Sequence, residues 1–215
     1  MHVHAPSTIR AIKPTLELRS LPPRTGPIRR ILLIVPPGTV EESYGRLSGA
    51  AGELPMLGLA YIAAALRDQG HVVQVIDYEV NGRPMSAVAE DIKGFAPDAI
   101  GMTAYITNMV RCARVAQISK TTNPEITVIL GGPQVSVFPD EGFRSPHVDM
   151  IVLSEGEVVI SNVMNALDNE EALGEVKGIW LRSSNGEIVR NDREELLTDL
   201  DVLPPPALDL FPMEK

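Results

Sequence analysis

The sequence predicts an α/β domain, an open parallel sheet wound with helices on both faces. Three observations predict it. Short continuous apolar runs such as Ile31–Val35 have strand length without polar alternation, as strands covered on both faces do. Helical stretches alternate with those runs, the pattern of right-handed βαβ units. Several runs also end in unusual residues, above all Ile129-Leu130-Gly131-Gly132-Pro133, where two glycines leave the backbone bare of Cβ atoms.

Residues 1–28 hold five prolines and read as an irregular basic arm, residues 1–30 carrying six lysines and arginines against the single acid Glu17. A short extended piece is expected at Leu16–Leu18. The domain proper, 29–173, opens with the strand Ile31–Val35, stopped by Pro36-Pro37-Gly38. A long connection, 38–55, follows; it exceeds the usual 2–6 residues of a strand-to-helix loop, which marks it as functional or mobile. Pro55 suits the first turn of a helix carrying Leu59, Ile62, Ala63 and Leu66 through Gln69, with Gly70 as its stop.

His71–Asp77 is the second strand, Pro84–Phe95 a helix, and Ala99–Thr103 the third strand. Asn108 is placed to cap a helix reaching Lys120. Thr127–Leu130 is the fourth strand, Asp140–Arg144 a short helix and Asp149–Leu153 the fifth strand. Ser154-Glu155-Gly156-Glu157 then leads into a helix over Val158–Leu167. In 174–198 the pattern changes to two extended runs, Val176–Leu181 and Glu187–Arg190, around Asn185-Gly186, a strong hairpin signal. Residues 199–215, with Pro204-Pro205-Pro206, read as an extended linker rather than a core element.

The chain has 215 residues and a net charge of −9, which argues against general nucleic-acid binding. No apolar run approaches the roughly 20 residues of a membrane span, and the N-terminus lacks the apolar segment of a secretory signal. The single cysteine, Cys112, excludes a disulfide framework and a cysteine-held cluster, and points to a reducing cytoplasm.

In open α/β sheets ligands sit beyond the carboxyl ends of the strands, so the strand ends are the candidate site. The order and spacing of Leu33-Ile34-Val35-Pro36-Pro37, Leu54–Leu66, Gly70–Val73 with Asp77, Asp98–Thr103, Ile129–Pro133, Asp149–Val152 with Glu155-Gly156-Glu157, and Leu203–Phe211 resemble the N-terminal cobalamin-binding domain of cobalamin-dependent radical S-adenosylmethionine (SAM) enzymes. The resemblance runs from about Ile31 to the C-terminus.

It implies a Rossmann-like, five-stranded doubly wound sheet of flavodoxin-like order, holding the corrin at the strand ends and its dimethylbenzimidazole tail between sheet and helices. On that basis Pro36, Pro37, Gly38, Thr103, Ala104, Tyr105, Thr107, Gly131, Gly132, Pro133, Glu155, Gly156 and Glu157 face the cofactor. Gly131 and Gly132 would admit the tail, Thr103 and Thr107 would offer hydroxyls, and backbone donors after Glu157 would meet corrin amides. Structural readings stand beside these: Pro36-Pro37 as a strand stop, Tyr105 as packing, the glutamates as helix-start residues, and Gly132 as a positive-φ turn.

Two departures from related patterns stand out. Cobalamin domains of the methionine-synthase type place a cobalt-ligating histidine just after the first strand, whereas this chain has Pro36-Pro37-Gly38-Thr39-Val40-Glu41 there. The three-cysteine motif that holds a [4Fe–4S] cluster for SAM is also missing. The chain is therefore expected to be the cobalamin-holding part of a larger enzyme, without catalysis of its own. SAM, the cluster and the catalytic radical SAM domain would lie in the parent protein. The competing expectation is a non-catalytic ligand-binding or regulatory module of the same fold, since fold alone does not assign function. A dinucleotide site is disfavoured because 36–58 lacks Gly-x-Gly-x-x-Gly. A stand-alone enzyme using Glu155 and Glu157 ranks last.

Overall fold

The structure, a computed structural model, describes residues 21–38, 55–153 and 155–212. The expected extended piece at Leu16–Leu18 and most of the long connection after the first strand lie outside them. Seven strands form one sheet: β1 Arg30–Val35, β2 Val72–Asp77, β3 Ala99–Thr103, β4 Thr127–Gly131, β5 Met150–Val152, β6 Ile179–Arg182 and β7 Ile188–Arg190. Their order is β2-β1-β3-β4-β5-β6-β7. The first five are parallel, and the chain reverses its direction of travel between β1 and β3.

The expected five strands are a correct count of the parallel part only. The Asn-Gly hairpin, with Gly186 at φ 87°, does not stand apart. Its first strand pairs antiparallel with β5 through Met150↔Leu181 and Val152↔Ile179, which lengthens the sheet to seven.

Strand alternation sorts the core into two layers. On one face Ile31, Leu33, Val35, Ile129 and Val152 pack against α1 (Leu57–Asp68) and, once the intervening helices are counted, α6 (Gly156–Ala166). On the other, Leu32, Ile34, Ile100, Met102, Val128 and Ile151 pack against α2 (Val88–Phe95) and α3 (Met109–Thr122). Two short helices follow β4, α4 (Pro133–Val137) and α5 (Pro139–Gly142), and α7 (Glu170–Gly174) follows α6. Cys112 is fully buried in the second layer, as expected of a small apolar residue, and burial pushes its thiol up to about 12.

Helix α1 is rich in alanine, and buried Ala60, Ala63 and Ala64 bring its axis close to the sheet. It ends as the sequence predicts: Gly70, at φ 80°, donates to the Arg67 carbonyl and His71 N–H returns to Leu66. Its start differs, since Pro55 lies before the N-cap Met56 rather than in the first turn. The expected Pro84–Phe95 helix is a 3-10 turn, Met85–Ala87, running into α2. The short helix expected at Asp140–Arg144 is α5 and ends earlier, at Gly142.

The C-terminal segment corrects a further expectation. Ala207 and Phe211 are buried in the first layer, Ala207 N–H donates to the Ala60 carbonyl at 3.0 Å, and Arg67 holds Asp209 through both carboxylate oxygens. The segment after the prolines is thus packed on α1. Among the described residues no helix is long and apolar enough to cross a membrane.

Candidate functional site

Between α1, the start of α6 and the carboxyl halves of β1, β3, β4 and β5 lies a cleft of about 300 Å³. It sits beside the point where strand order reverses, the place at which open α/β sheets bind ligands. Leu33, Gly101, Ile129 and Val152 line it from the sheet, and Gly58, Leu59, Ile62 and Ile160 from the helices. Its rim carries Thr103, Tyr105, Gly131, Gly132, Pro133, Glu155, Gly156 and Glu157. Small-molecule sites usually occupy about 300–1,000 Å³, and this cleft lies at the lower end of that range. A wider groove of about 540 Å³ lies under α3 on the opposite face, away from the glycine-ended strands.

The two central glycines play different parts. A Cβ on Gly131 would meet only the Val152 carbonyl, at 4.0 Å, so this position is open. Gly132 has φ 97°, and a Cβ there would stand 2.7 Å from Thr103 Cγ2 and 3.0 Å from both Ala104 N and Ala104 O. Gly132 is therefore demanded by the turn itself, whatever lies in the cleft. Of the two glycines, both expected to leave room beside them, Gly131 is the one with open space.

Five of the thirteen sequence-derived candidates do not line the cleft. Pro36 and Pro37 are buried at the end of β1, and a Cβ on Gly38 would run into the Arg111 guanidinium at 2.3 Å. Ala104 is buried and spent on the turn: its N–H donates to the Gly131 carbonyl and its carbonyl accepts from Gln134 N–H. Thr107 is exposed outside the lining. Asn108 stands at the N-cap of α3, as expected, but its side chain makes no capping hydrogen bond. Its buried amide instead accepts from Tyr105 N–H and donates to the Thr103 carbonyl, fixing the turn that presents Thr103 and Tyr105.

The two glutamates also diverge. Glu155 is exposed, and its carboxylate accepts from Leu197 N–H at 2.6 Å, tying the segment after the hairpin to the cleft rim. Glu157, in the first turn of α6, is half-buried. Burial raises its carboxyl above the usual carboxylate range, its own backbone N–H opposes that shift, and the charge of Glu155 adds to it.

Sequence reasoning passed over the apolar walls and Gly101. A glycine inside an apolar strand is the signal that pointed there, and here a Cβ would press on Leu33 Cδ2 at 2.7 Å. Neither described histidine lines the cleft. His71 is buried at the opposite end of the sheet, and His147 lines the wider groove. Among the described residues no cluster of His, Cys, Asp and Glu is arranged to hold a metal ion.

Fold and cleft together define an open α/β domain with an apolar cleft at the strand-order reversal. The chain belongs to the B12 binding domain family, whose model matches residues 46–164. It is 34% identical over 189 residues to an uncharacterized methyltransferase of Pyrococcus horikoshii, covering 87% of this chain and 40% of the relative. It is 32% identical over 160 residues to the anaerobic magnesium-protoporphyrin IX monomethyl ester cyclase of Rubrivivax gelatinosus, covering 72% of this chain and 29% of that protein. In fold it is similar to the cobalamin-dependent SAM radical enzyme OxsB, solved with aqua-cobalamin and SAM bound. The TM-score is 0.68 at 22% identity, over 85% of this chain and 24% of OxsB. The chain thus spans two fifths or less of the length of these proteins.

Proposed function

We propose that this chain holds cobalamin for a radical SAM enzyme, with the nucleotide tail in the cleft and the corrin across the strand ends. The open position at Gly131, above apolar walls at the strand-order reversal, carries the reading. A flat base entering there would be gripped by Ile62, Ile129 and Val152 and shielded from water on both faces. Thr103 and Tyr105, held by Asn108, would meet polar groups at the rim. When bound, cobalamin supplies a cobalt centre that can carry a methyl group or exchange single electrons. The described histidines lie away from the cleft, so they offer the cobalt no imidazole.

The chain's own work is to bind, orient and shield. SAM and a [4Fe–4S] cluster need cysteines that this sequence lacks, so the reading assigns them to a radical SAM domain elsewhere in the parent protein, in a reducing cytoplasm. The reaction there is methyl transfer or radical-coupled chemistry on a substrate chosen outside this chain. The test is to mix the chain with hydroxocobalamin and separate by gel filtration. Visible absorbance should follow the protein at about one cofactor per chain, and a folded but colourless protein peak contradicts the reading.

A further inference from the structure

Glu157 is the half-buried carboxylate of the cleft, met by its own backbone N–H. Among the described residues its carboxylate has no partner in another side chain, whereas Glu155 is engaged by Leu197 N–H. Its burial lies between that of the deep apolar walls, Leu59, Ile129 and Val152, and that of exposed Glu155 and Tyr105 at the mouth. Glu157 thus forms a half-buried collar on the rim of the cleft.

A group inserted base-first places its sugar at such a collar. Three moieties of a nucleotide tail are candidates to meet the carboxylate, and charge separates them. The phosphate is anionic, and the described residues lining the cleft include two glutamates and no cation, so it is repelled. An unprotonated ring nitrogen is an acceptor and offers nothing to another acceptor. Ribose hydroxyls are donors, and a carboxylate accepts them as it does the ribose hydroxyls of dinucleotides in related α/β folds. Burial makes a charge met only by its own backbone N–H costly, which favours a further donor there.

We propose that the Glu157 carboxylate accepts hydrogen bonds from the ribose hydroxyl groups of the cofactor's tail, making the cleft selective for complete cobamides over tail-less corrinoids. This rests on the cobalamin reading above and adds the residue that reads the sugar.

The test compares hydroxocobalamin, its adenine-based analogue and cobinamide, which lacks the nucleotide, on the unsubstituted chain and on Glu157→Ala and Glu157→Gln. Glu157→Ala should weaken both complete cobamides about tenfold or more, as loss of a charge-assisted hydrogen bond does, and Glu157→Gln less. Cobinamide affinity should stay within about twofold, which also shows that the variants are folded. Equal loss for cobinamide, no loss for either cobamide, or a loss confined to one base overturns the proposal. Failure of the unsubstituted chain to bind any of the three would instead overturn the cobalamin reading beneath it.

Discussion

The two ends of the sheet are built on opposite principles. At the amino ends of the strands, backbone donors are stapled by side chains. Asp98 accepts from Arg30 N–H and Asp149 from Val128 N–H, both at 2.7 Å, and Lys120 pairs with Asp149. Segment 21–29 is clasped there as well. Gln69 donates to the Pro22 carbonyl, Asn165 bridges Thr25 N–H and the Pro23 carbonyl, and His71 Nδ1 accepts from Arg29 N–H. At the carboxyl ends, among the described residues, Ile106 is 78% exposed and Phe138 56%, and the cleft opens beside α1. Side-chain staples gather at the closed, amino end and the candidate site lies at the open, carboxyl end, in keeping with binding surfaces being drawn from less packed regions.

The sharpest way to break this contrast is at Gly132, the point of the open end that the fold itself demands. Gly132→Ala should lower the free energy of unfolding by about 2–3 kcal/mol, through left-handed backbone strain and contact with the rigid Ala104 backbone. Urea denaturation measures it. A change below about 0.5 kcal/mol would mean that the turn tolerates a side chain and that Gly132 belongs to the cofactor instead.

A smaller effect tests the closed end. Burial, with the charges of Arg24 and Arg29, lowers the His71 pKa from its ordinary 6.5. The neutral ring accepts from Arg29 N–H, and protonation removes that acceptor. The unfolded chain therefore binds a proton that the folded chain resists. The His71 contribution is fully present above pH 6.5 and is lost as pH falls through the lowered folded value. Melting temperatures from pH 7.5 to 5 should fall less steeply in His71→Gln than in the unsubstituted chain. Parallel curves would show that this imidazole is not a staple.

The smallest effect should come from the exposed pair Arg67–Asp209, with side chains 45% and 63% exposed. Asp209→Asn should cost no more than about 0.5 kcal/mol by chemical denaturation, because solvent screens such pairs. A larger loss would move the anchoring of the C-terminal segment from apolar burial of Phe211 to the ion pair.

Local pattern made the parallel strands legible; β3 spans Ala99–Thr103 in both sequence and structure. What local pattern cannot carry is long-range choice of partner. The Asn-Gly turn announced a hairpin but not its docking on β5, and the proline run concealed that Ala207 and Phe211 complete the core under α1. Asn108 is the N-cap residue that the sequence suggested, but its amide bridges two points of the preceding turn instead of the first helical N–H groups. Of the site, the strand ends were legible and the walls were not. Ile62 and Ile160 come from helices distant in sequence, and no spacing rule brings them together.

The adjacent glycines allow the most direct test that the cleft is where the cofactor's tail lies. Gly131 ends a strand in ordinary backbone with open space beside it, so Gly131→Leu adds bulk there without the positive-φ strain of Gly132. Thermal melts and hydroxocobalamin titration on the same samples give the answer. The cleft reading predicts a melt within about 2 °C of the unsubstituted chain and cobalamin affinity reduced at least about a hundredfold. Undiminished binding by a folded Gly131→Leu chain would contradict it.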